Sequence, residues 1–222
     1  MNARVVAVDG PAGSGKSSVS RAAAAELGFA FLDTGAAYRA LTWLALERGV
    51  PLLPEADEDA VLALLPGFDY RIGLSPNEPN AVHVGLTDVT QAIREARVAA
   101  NVSAVARIAG VRDYLVAMYR RTIADCTMPG IVVEGRDITT VVAPHAEVRV
   151  LLTARPEVRA ARRAGENGGS AEAVAVAIAE RDSRDLANAD FMTPANGVTV
   201  LDTSDLSFAE SVAALVDLVN AA

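Results

Sequence analysis

The first residues with recognisable chemistry form the run Gly10-Pro-Ala-Gly-Ser-Gly-Lys16-Ser17. This run has the spacing G-x-x-x-x-G-K-[ST], and it lies between a β-branched strand pattern over residues 5–9 and a helical pattern over residues 16–27. Glycines let successive backbone N–H groups converge on a polyphosphate, and the start of a helix adds its positive dipole end. The run therefore predicts a phosphate-binding loop.

Within this loop, Lys16 is expected to reach the β- and γ-phosphates of ATP, and Ser17 to bind Mg²⁺. Asp33, at the end of the next predicted strand, could complete the Mg²⁺ shell with Ser17 or cap the following helix, and the sequence leaves both roles open. The predicted ATP ligands in the loop are Gly10, Pro11, Ala12, Gly13, Ser14, Gly15, Lys16, Ser17 and Ser18.

The loop by itself suits GTPases, ATPase motors, transporter subunits and small-molecule kinases alike. The sequence contains no D-x-x-G motif followed by the guanine-reading N-K-x-D motif, and 222 residues are few for a motor domain. A small-molecule kinase is therefore the leading class.

The elements that must position these residues alternate between strand and helix, which predicts an α/β fold of the P-loop NTPase type, with a parallel five-stranded sheet and helices on both faces. The predicted strands are Val5–Asp9, Phe29–Leu32, Ile131–Glu134, Val148–Thr153 and Val198–Asp202. The main predicted helices are Lys16–Leu27, Ala36–Glu47, Val111–Asp125, Ala171–Ala187 and Phe208–Asn220.

Two segments interrupt this alternation. Phe68–Leu74 and Ala81–Gly85 alternate like antiparallel strands around a turn, which predicts a small inserted β subdomain. Gly165–Ser170 is a glycine-rich segment that suits a lid or an ordinary loop between helices. We expect one kinase domain over 1–222, with a core at about 1–35, 104–160 and 173–222, an acceptor-binding insertion at about 36–103 and a lid at about 161–172.

Composition narrows the function further. The net charge of −8 argues against binding to a nucleic-acid polymer, and the apolar runs are too short to span a membrane. One cysteine, Cys126, cannot form an intrachain disulfide, and the amino terminus does not resemble a secretion signal, so we expect a cytoplasmic protein. His83 and His145 lack partners at metal-ligand spacing. We expect a monomer that binds small molecules.

Two further segments make a family resemblance specific. They are Asp33-Thr-Gly-Ala-Ala-Tyr38-Arg39 and Glu134-Gly-Arg136-Asp137, and with the phosphate loop they resemble the bacterial cytidylate kinases, in which D-[ST]-G-A-x-Y-R and [DE]-G-R-D segments flank the acceptor. The likeness extends over most of the chain, and it includes Ala92-Ile-Arg94, Val102-Ser103, Val111-Arg112 and Arg181-Asp182-x-x-Asp185.

The resemblance implies that the chain transfers the γ-phosphoryl group of ATP to CMP or dCMP, with Mg²⁺. It implies that Arg39 and Arg136 bind the acceptor phosphate, that Ser103, Arg112 and Asp137 read the base, and that Arg181 and Asp185 meet the sugar. The implied acceptor ligands are Thr34, Tyr38, Arg39, Ser103, Arg112, Arg136, Asp137, Arg181 and Asp185. The implied catalytic residues are Lys16, Arg136 and Arg181, and Arg162 joins the ATP ligands from the lid.

Some alternatives stay open. Arg159 and Arg184, which flank the predicted lid, suit neutralisation of phosphate charge and a solvated helical face equally well. The family commonly has arginine where this chain has Asn188, and glycine where it has Thr139; the β-branched Thr139 requires ordinary backbone angles or strains its loop. A shikimate or sugar-acid kinase, with Asp33 as base, and a catalytically weakened nucleotide-binding regulator are the competing functions.

Overall fold

The computed structural model describes residues 3–53, 55–78, 80–167, 171–186 and 190–222. In chain order its strands are β1 (Arg4–Asp9), β2 (Ala30–Asp33), β3 (Tyr70–Ile72), β4 (Val82–Val84), β5 (Thr87–Asp88), β6 (Gly130–Gly135), β7 (Val148–Thr153) and β8 (Thr199–Asp202). Its helices are α1 (Lys16–Leu27), α2 (Thr34–Glu47), α3 (Glu58–Leu62), α4 (Ala96–Ala106), α5 (Ala109–Ala124), α6 (Pro156–Asn167), α7 (Ala171–Leu186) and α8 (Phe208–Asn220).

The chain divides into two compact units. The first contains Met1–Leu32 and Ile123–Ala222, and the second contains Asp33–Thr122. The predicted limits of the core, the insertion and the lid stay predictions. No helix in the part of the chain that the structure describes is long and apolar enough to cross a membrane.

The first unit is built on a five-stranded sheet in the order β2-β6-β1-β7-β8. Strand β1 pairs in parallel with β6 and with β7, and β7 pairs in parallel with β8. Asp9, the last residue of β1, lies opposite Gly135 of β6 and Leu151 of β7. The segments that follow β1 and β6 therefore begin side by side at the carboxyl edge of the sheet, which is where open α/β sheets bind ligands.

The core of this unit explains why the sheet holds that register. Val6 and Val8 of β1 pack in one buried cluster with Val150 and Leu152 of β7 and with apolar residues of α1 and α8. Because side chains alternate along a strand, a one-residue slip of β1 would turn Val6 and Val8 to the opposite face of the sheet and would direct Asp9 into this apolar cluster. Each such burial contributes about 1.5–3 kcal/mol.

The second unit contains a three-stranded antiparallel sheet in the order β3-β4-β5. Tyr70 lies opposite Val84, and Ile72 opposite Val82, so the two segments predicted to alternate do pair as expected. Strand β5 was not predicted, because a strand of two exposed residues has no detectable periodicity.

The predicted α/β fold with a five-stranded parallel sheet and a small antiparallel sheet is confirmed. Helices α1 and α8 and strand β7 have the predicted limits, and the other predicted elements differ by a few residues at their ends. The helix before the predicted lid continues through Gly165 to Asn167, and residues 168–170 lie outside the described ones.

Candidate active site

The phosphate-binding loop follows β1 directly and ends in α1, as predicted. Two of its glycines are required by the structure itself. A Cβ at Gly10 would lie 2.1 Å from the carbonyl oxygen of Leu152, so the loop passes too close to β7 for a side chain. Gly15 precedes the helix in the left-handed region, with φ of 87°, which residues with a Cβ rarely adopt. These glycines therefore serve the shape of the loop, independently of any ligand.

A buried carboxylate joins the two reactive side chains of the loop. Glu134, near the end of β6, is 3% exposed. The Ser17 hydroxyl donates a hydrogen bond of 2.7 Å to its Oε1, and the Lys16 ammonium lies 3.6 Å from its Oε2. The carboxylate thus holds both groups at the mouth of the loop. Sequence reasoning quoted Glu134 within the E-G-R-D motif but gave it no role; its charge in the otherwise apolar Ile-Val-Val-Glu run was the available signal.

Three arginines bind backbone carbonyls of the loop. Arg136 donates to Gly10 O at 2.7 Å, Arg159 to Ala12 O at 3.0 Å and Arg162 to Ser14 O at 3.2 Å. Arg136 also lies over the ring of Phe191, with 4.2 Å from its guanidinium carbon to the ring centroid. The structure therefore brings two predicted site residues, Arg136 and Arg162, to the phosphate loop.

Arg162 has further partners in the chain itself. Its guanidinium donates to the carbonyl and the hydroxyl of Thr203, at 2.7 and 3.0 Å. These bonds fix its position beside the loop. Its contact with ATP stays a prediction.

The structure decides between the two alternatives left open for Arg159. It is 6% exposed and forms a 2.5 Å ion pair with Asp182, which is 5% exposed. The solvated helical face considered for Arg159 is therefore wrong. Its partner lies 23 positions away in the sequence, and an i,i+3 pattern within one helix cannot reveal such a contact. The side chains of Arg184, Arg181 and Asp185 lie outside the description, as does Asn188.

The segment after β6 is ordered by Asp9. Asp9 is 3% exposed, and its carboxylate accepts the N–H groups of Ile138 and Thr139, both at 2.8 Å, and the Thr139 hydroxyl at 2.6 Å. Thr139 lies in a π-helical turn over Ile138–Val142, a kind of turn that is frequent at functional sites. No described residue other than glycine has a positive φ, so Thr139 adopts ordinary angles and the strained alternative is wrong. Asp137 precedes this turn and is half-buried.

In the second unit, Asp33 occupies the helix-capping position that the sequence allowed. Its Oδ1 accepts the N–H of Ala36 at 3.1 Å, and its Oδ2 pairs with Arg39 at 2.7 Å. Burial, reinforced by the negative charge of Asp33, raises the pKa of Tyr70 well above its usual value. The cap at Asp33 is thus present, while its role toward Mg²⁺ stays a prediction.

The other predicted acceptor ligands of this unit lie on three helices. Thr34 begins α2, and its carbonyl accepts the Tyr119 hydroxyl at 2.7 Å, while the Tyr38 carbonyl accepts the Thr42 hydroxyl at 2.7 Å. Ser103 is buried on α4, and Arg112 is half-buried on α5. Their contacts with an acceptor stay predictions.

Comparison with known proteins assigns the chain to a family. A cytidylate kinase from Streptomyces avermitilis is 40% identical over 97% of this chain and 92% of its own length, and one from Cutibacterium acnes is 43% identical over 97% and 95%. The crystal structure of TT1252 from Thermus thermophilus shares the fold, with a TM-score of 0.51, 18% identity and coverage of 100% of this chain and 98% of its own. The family model for cytidylate kinase matches residues 6–221. The chain therefore belongs to the cytidylate kinase family.

Proposed function

We propose that this chain transfers the γ-phosphoryl group of ATP to CMP or dCMP, giving ADP and CDP or dCDP. One observation carries the proposal: in a chain of this family, the phosphate loop holds Lys16 and Ser17 against the buried carboxylate of Glu134. A loop with this spacing binds a nucleoside triphosphate, and the paired groups are those that phosphoryl transfer requires at the donor.

At the donor, the ligands act by position and charge. The backbone N–H groups of the loop bind the phosphate oxygens, and Lys16 offsets the negative charge of the group being transferred. Glu134 keeps the Lys16 ammonium within 3.6 Å of itself and so limits the positions this flexible side chain can take. Catalysis by this chain is thus alignment and charge neutralisation.

The residues present also fit Mg²⁺. The Ser17 hydroxyl oxygen and the Glu134 carboxylate lie 2.7 Å apart, and oxygen atoms are the ligands that Mg²⁺ prefers. Mg²⁺ at a nucleotide site usually has one or two protein ligands, and phosphates and water complete its shell. When bound, Mg²⁺ neutralises charge on the β- and γ-phosphate oxygens. We assign Ser17, with Glu134, as its protein side; Asp33 is a further candidate.

For the acceptor, we assign Arg39 and Arg136 to the phosphate and Ser103, Arg112 and Asp137 to the base. Cytosine donates from N4 and accepts at N3 and O2, so a carboxylate suits its amino group, and an arginine and a hydroxyl suit its acceptors. Uracil reverses the pattern at position 4 and at N3. The acceptor needs no general base, because a phosphate monoester with a second pKa near ~6 is already mostly ionised at neutral pH.

An ADP-release assay with ATP and one acceptor at a time tests the reaction. We expect turnover with CMP and dCMP well above that with UMP, AMP and shikimate, and no turnover by Lys16→Ala, which controls for contaminating kinases. Turnover highest with shikimate would assign the chain to the hydroxyl-acceptor kinases. ATP binding without turnover of any acceptor would favour the nucleotide-binding regulator.

Asp137→Ala tests base recognition separately. Removing the acceptor for N4 should cost CMP about 1–3 kcal/mol more transition-state stabilisation than it costs UMP. The kcat/KM for CMP should then fall about fivefold to 150-fold more than that for UMP. Equal losses with both acceptors would show that Asp137 does not read the base.

We also propose that the protein acts in the cytoplasm as a monomer. Cys126, its one cysteine, is half-buried and lies 3.9 Å from the Gly130 carbonyl, as suits a reduced thiol that packs rather than reacts. Light scattering of the purified protein tests the monomer, and a mass of twice the 23.0 kDa chain would refute it.

A further inference from the structure

Asp182 of α7 reaches the phosphate loop and binds groups of the kind that bind phosphate. Its Oδ1 accepts the backbone N–H of Ala12 at 3.0 Å and lies 3.5 Å from Nη2 of Arg136. Its Oδ2 pairs with Arg159 at 2.5 Å. One carboxylate therefore contacts a loop N–H group and two guanidinium groups, which is the set of donors that a phosphate oxygen seeks.

This arrangement is buried. The side chains of Asp182 and Arg159 are each 7% exposed, and that of Arg136 is 19% exposed. A poorly exposed cation is costly without an anion, and the Asp182 carboxylate lies against both guanidinium groups. Removing that charge would take from Arg136 and from the Ala12 N–H group the anion that they share.

We infer that Asp182 is a positioning residue whose carboxylate binds the Ala12 N–H group and Arg136 as a phosphate oxygen would. During turnover the acceptor phosphate displaces this carboxylate from Arg136. The inference rests on the proposed function, because it takes Arg136 as a phosphate ligand. A phosphate dianion carries more charge than a carboxylate, so it competes effectively for the guanidinium. Arg159 stays with Asp182 and keeps the buried carboxylate neutralised.

The exchange has a direct consequence for selectivity among anions. While Asp182 holds Arg136, a lone phosphate must displace a carboxylate to gain the arginine. The carboxylate therefore weakens the binding of small anions. It also helps to keep Arg136 beside the loop, where the guanidinium donates the 2.7 Å bond to Gly10 O.

Calorimetric titration of inorganic phosphate into the nucleotide-free protein tests this inference. Asp182→Asn keeps the size of the side chain but removes its charge, and we expect it to bind phosphate about tenfold more tightly, or more, than the parent chain. In the Arg136→Met background the same substitution should give no gain. A purely structural role predicts weaker binding or none, because damage to the loop does not raise its affinity.

Two controls complete the design. Asp205→Asn also removes a carboxylate from an arginine, the exposed Arg155, and should leave phosphate affinity within about twofold, which accounts for the general loss of one negative charge. Asp182→Glu keeps the charge and should stay closer to the parent affinity than Asp182→Asn.

The inference is overturned if Asp182→Asn folds and binds phosphate no more tightly, or if the gain persists without Arg136. If Asp182→Asn does not fold, Arg136→Met alone decides. It should lower phosphate affinity by no more than about threefold, because the arginine is already held by Asp182. A greater loss would show that Arg136 binds phosphate unrestrained and would overturn the inference. All these outcomes concern phosphate binding, so they are independent of whether CMP is the acceptor.

Discussion

Glu134→Gln is the substitution that most directly tests the donor site. Both oxygens of the Glu134 carboxylate have partners in the loop, Ser17 at 2.7 Å and Lys16 at 3.6 Å, and the side chain is 4% exposed. Glutamine has the same length and keeps one acceptor oxygen, so the Ser17 hydroxyl can still donate to it. The substitution removes the charge that Lys16 and a magnesium ion would need.

The size of the effect follows from the two contacts. A hydrogen bond or ion pair to a charged group is worth about 1.5–3 kcal/mol, against about 1 kcal/mol for a neutral hydrogen bond. The Coulomb attraction at 3.6 Å is larger, but the desolvation of two poorly exposed charges offsets much of it, so the charge-assisted range is the better guide. A loss of about 1.5–3 kcal/mol lowers kcat/KM roughly tenfold to 150-fold.

The assay is kcat/KM for ATP at saturating CMP, measured with the melting temperature of each variant. Glu26→Gln is a matched control, because Glu26 lies exposed on the same helix as Ser17, and it should stay within about twofold of the parent. A Glu134→Gln enzyme with kcat/KM within twofold of the parent would refute the role of the carboxylate. So would a loss that an equal fall in folded fraction at the assay temperature fully explains.

The remaining predictions concern stability. Thr139→Val loses the 2.6 Å hydroxyl bond to Asp9, so it should cost about 1.5–3 kcal/mol, and the melting temperature should fall roughly 3–12 °C while Thr139→Ser stays near the parent; a fall under 1 °C contradicts this. Tyr119→Phe loses the 2.7 Å bond to Thr34 O, so its free energy of unfolding in denaturant titration should be about 1 kcal/mol lower. The buried hydroxyl of Tyr70 has no hydrogen-bond partner among the described residues, so Tyr70→Phe should be neutral or stabilising. The raised pKa of Tyr70 stabilises the fold fully below the pKa of an unfolded tyrosine, so stability should fall above about pH 10, and less so in Tyr70→Phe; equal alkaline sensitivity of the two proteins would contradict this.

Local patterns were sufficient for the elements on which the site is built. Helix α8 begins at a capping box in which Ser207 and Glu210 exchange side-chain-to-backbone bonds, and such a start can be read from four consecutive residues. Strand β7 is a short apolar run between turn residues, and the phosphate loop fixes where α1 begins. In each case the residues that decide the structure are neighbours in sequence.

The features that the sequence did not reveal depend on residues far apart in the chain. Ser17 and Glu134 are separated by 117 positions, and Asp182 and Ala12 by 170. Glu134 could have been a cap, a surface charge or a metal ligand until the pairing of β1 with β6 placed it beside the loop. The same limit applied to Arg159. Its spacing along the helix was compatible with a solvent-exposed face, but its partner, Asp182, lies on another helix.

The three arginines at the loop explain how its N–H groups are directed toward a phosphate. In a planar trans peptide, the C=O of one residue and the N–H of the next point in opposite directions. Arg136, Arg159 and Arg162 hold the carbonyls of residues 10, 12 and 14. The N–H groups of residues 13 and 15 must then point away from the arginines. Residue 11 follows the carbonyl of residue 10 in the same way, but it is proline and has no N–H group. The three cations thus orient the backbone of the loop through bonds to its carbonyl groups.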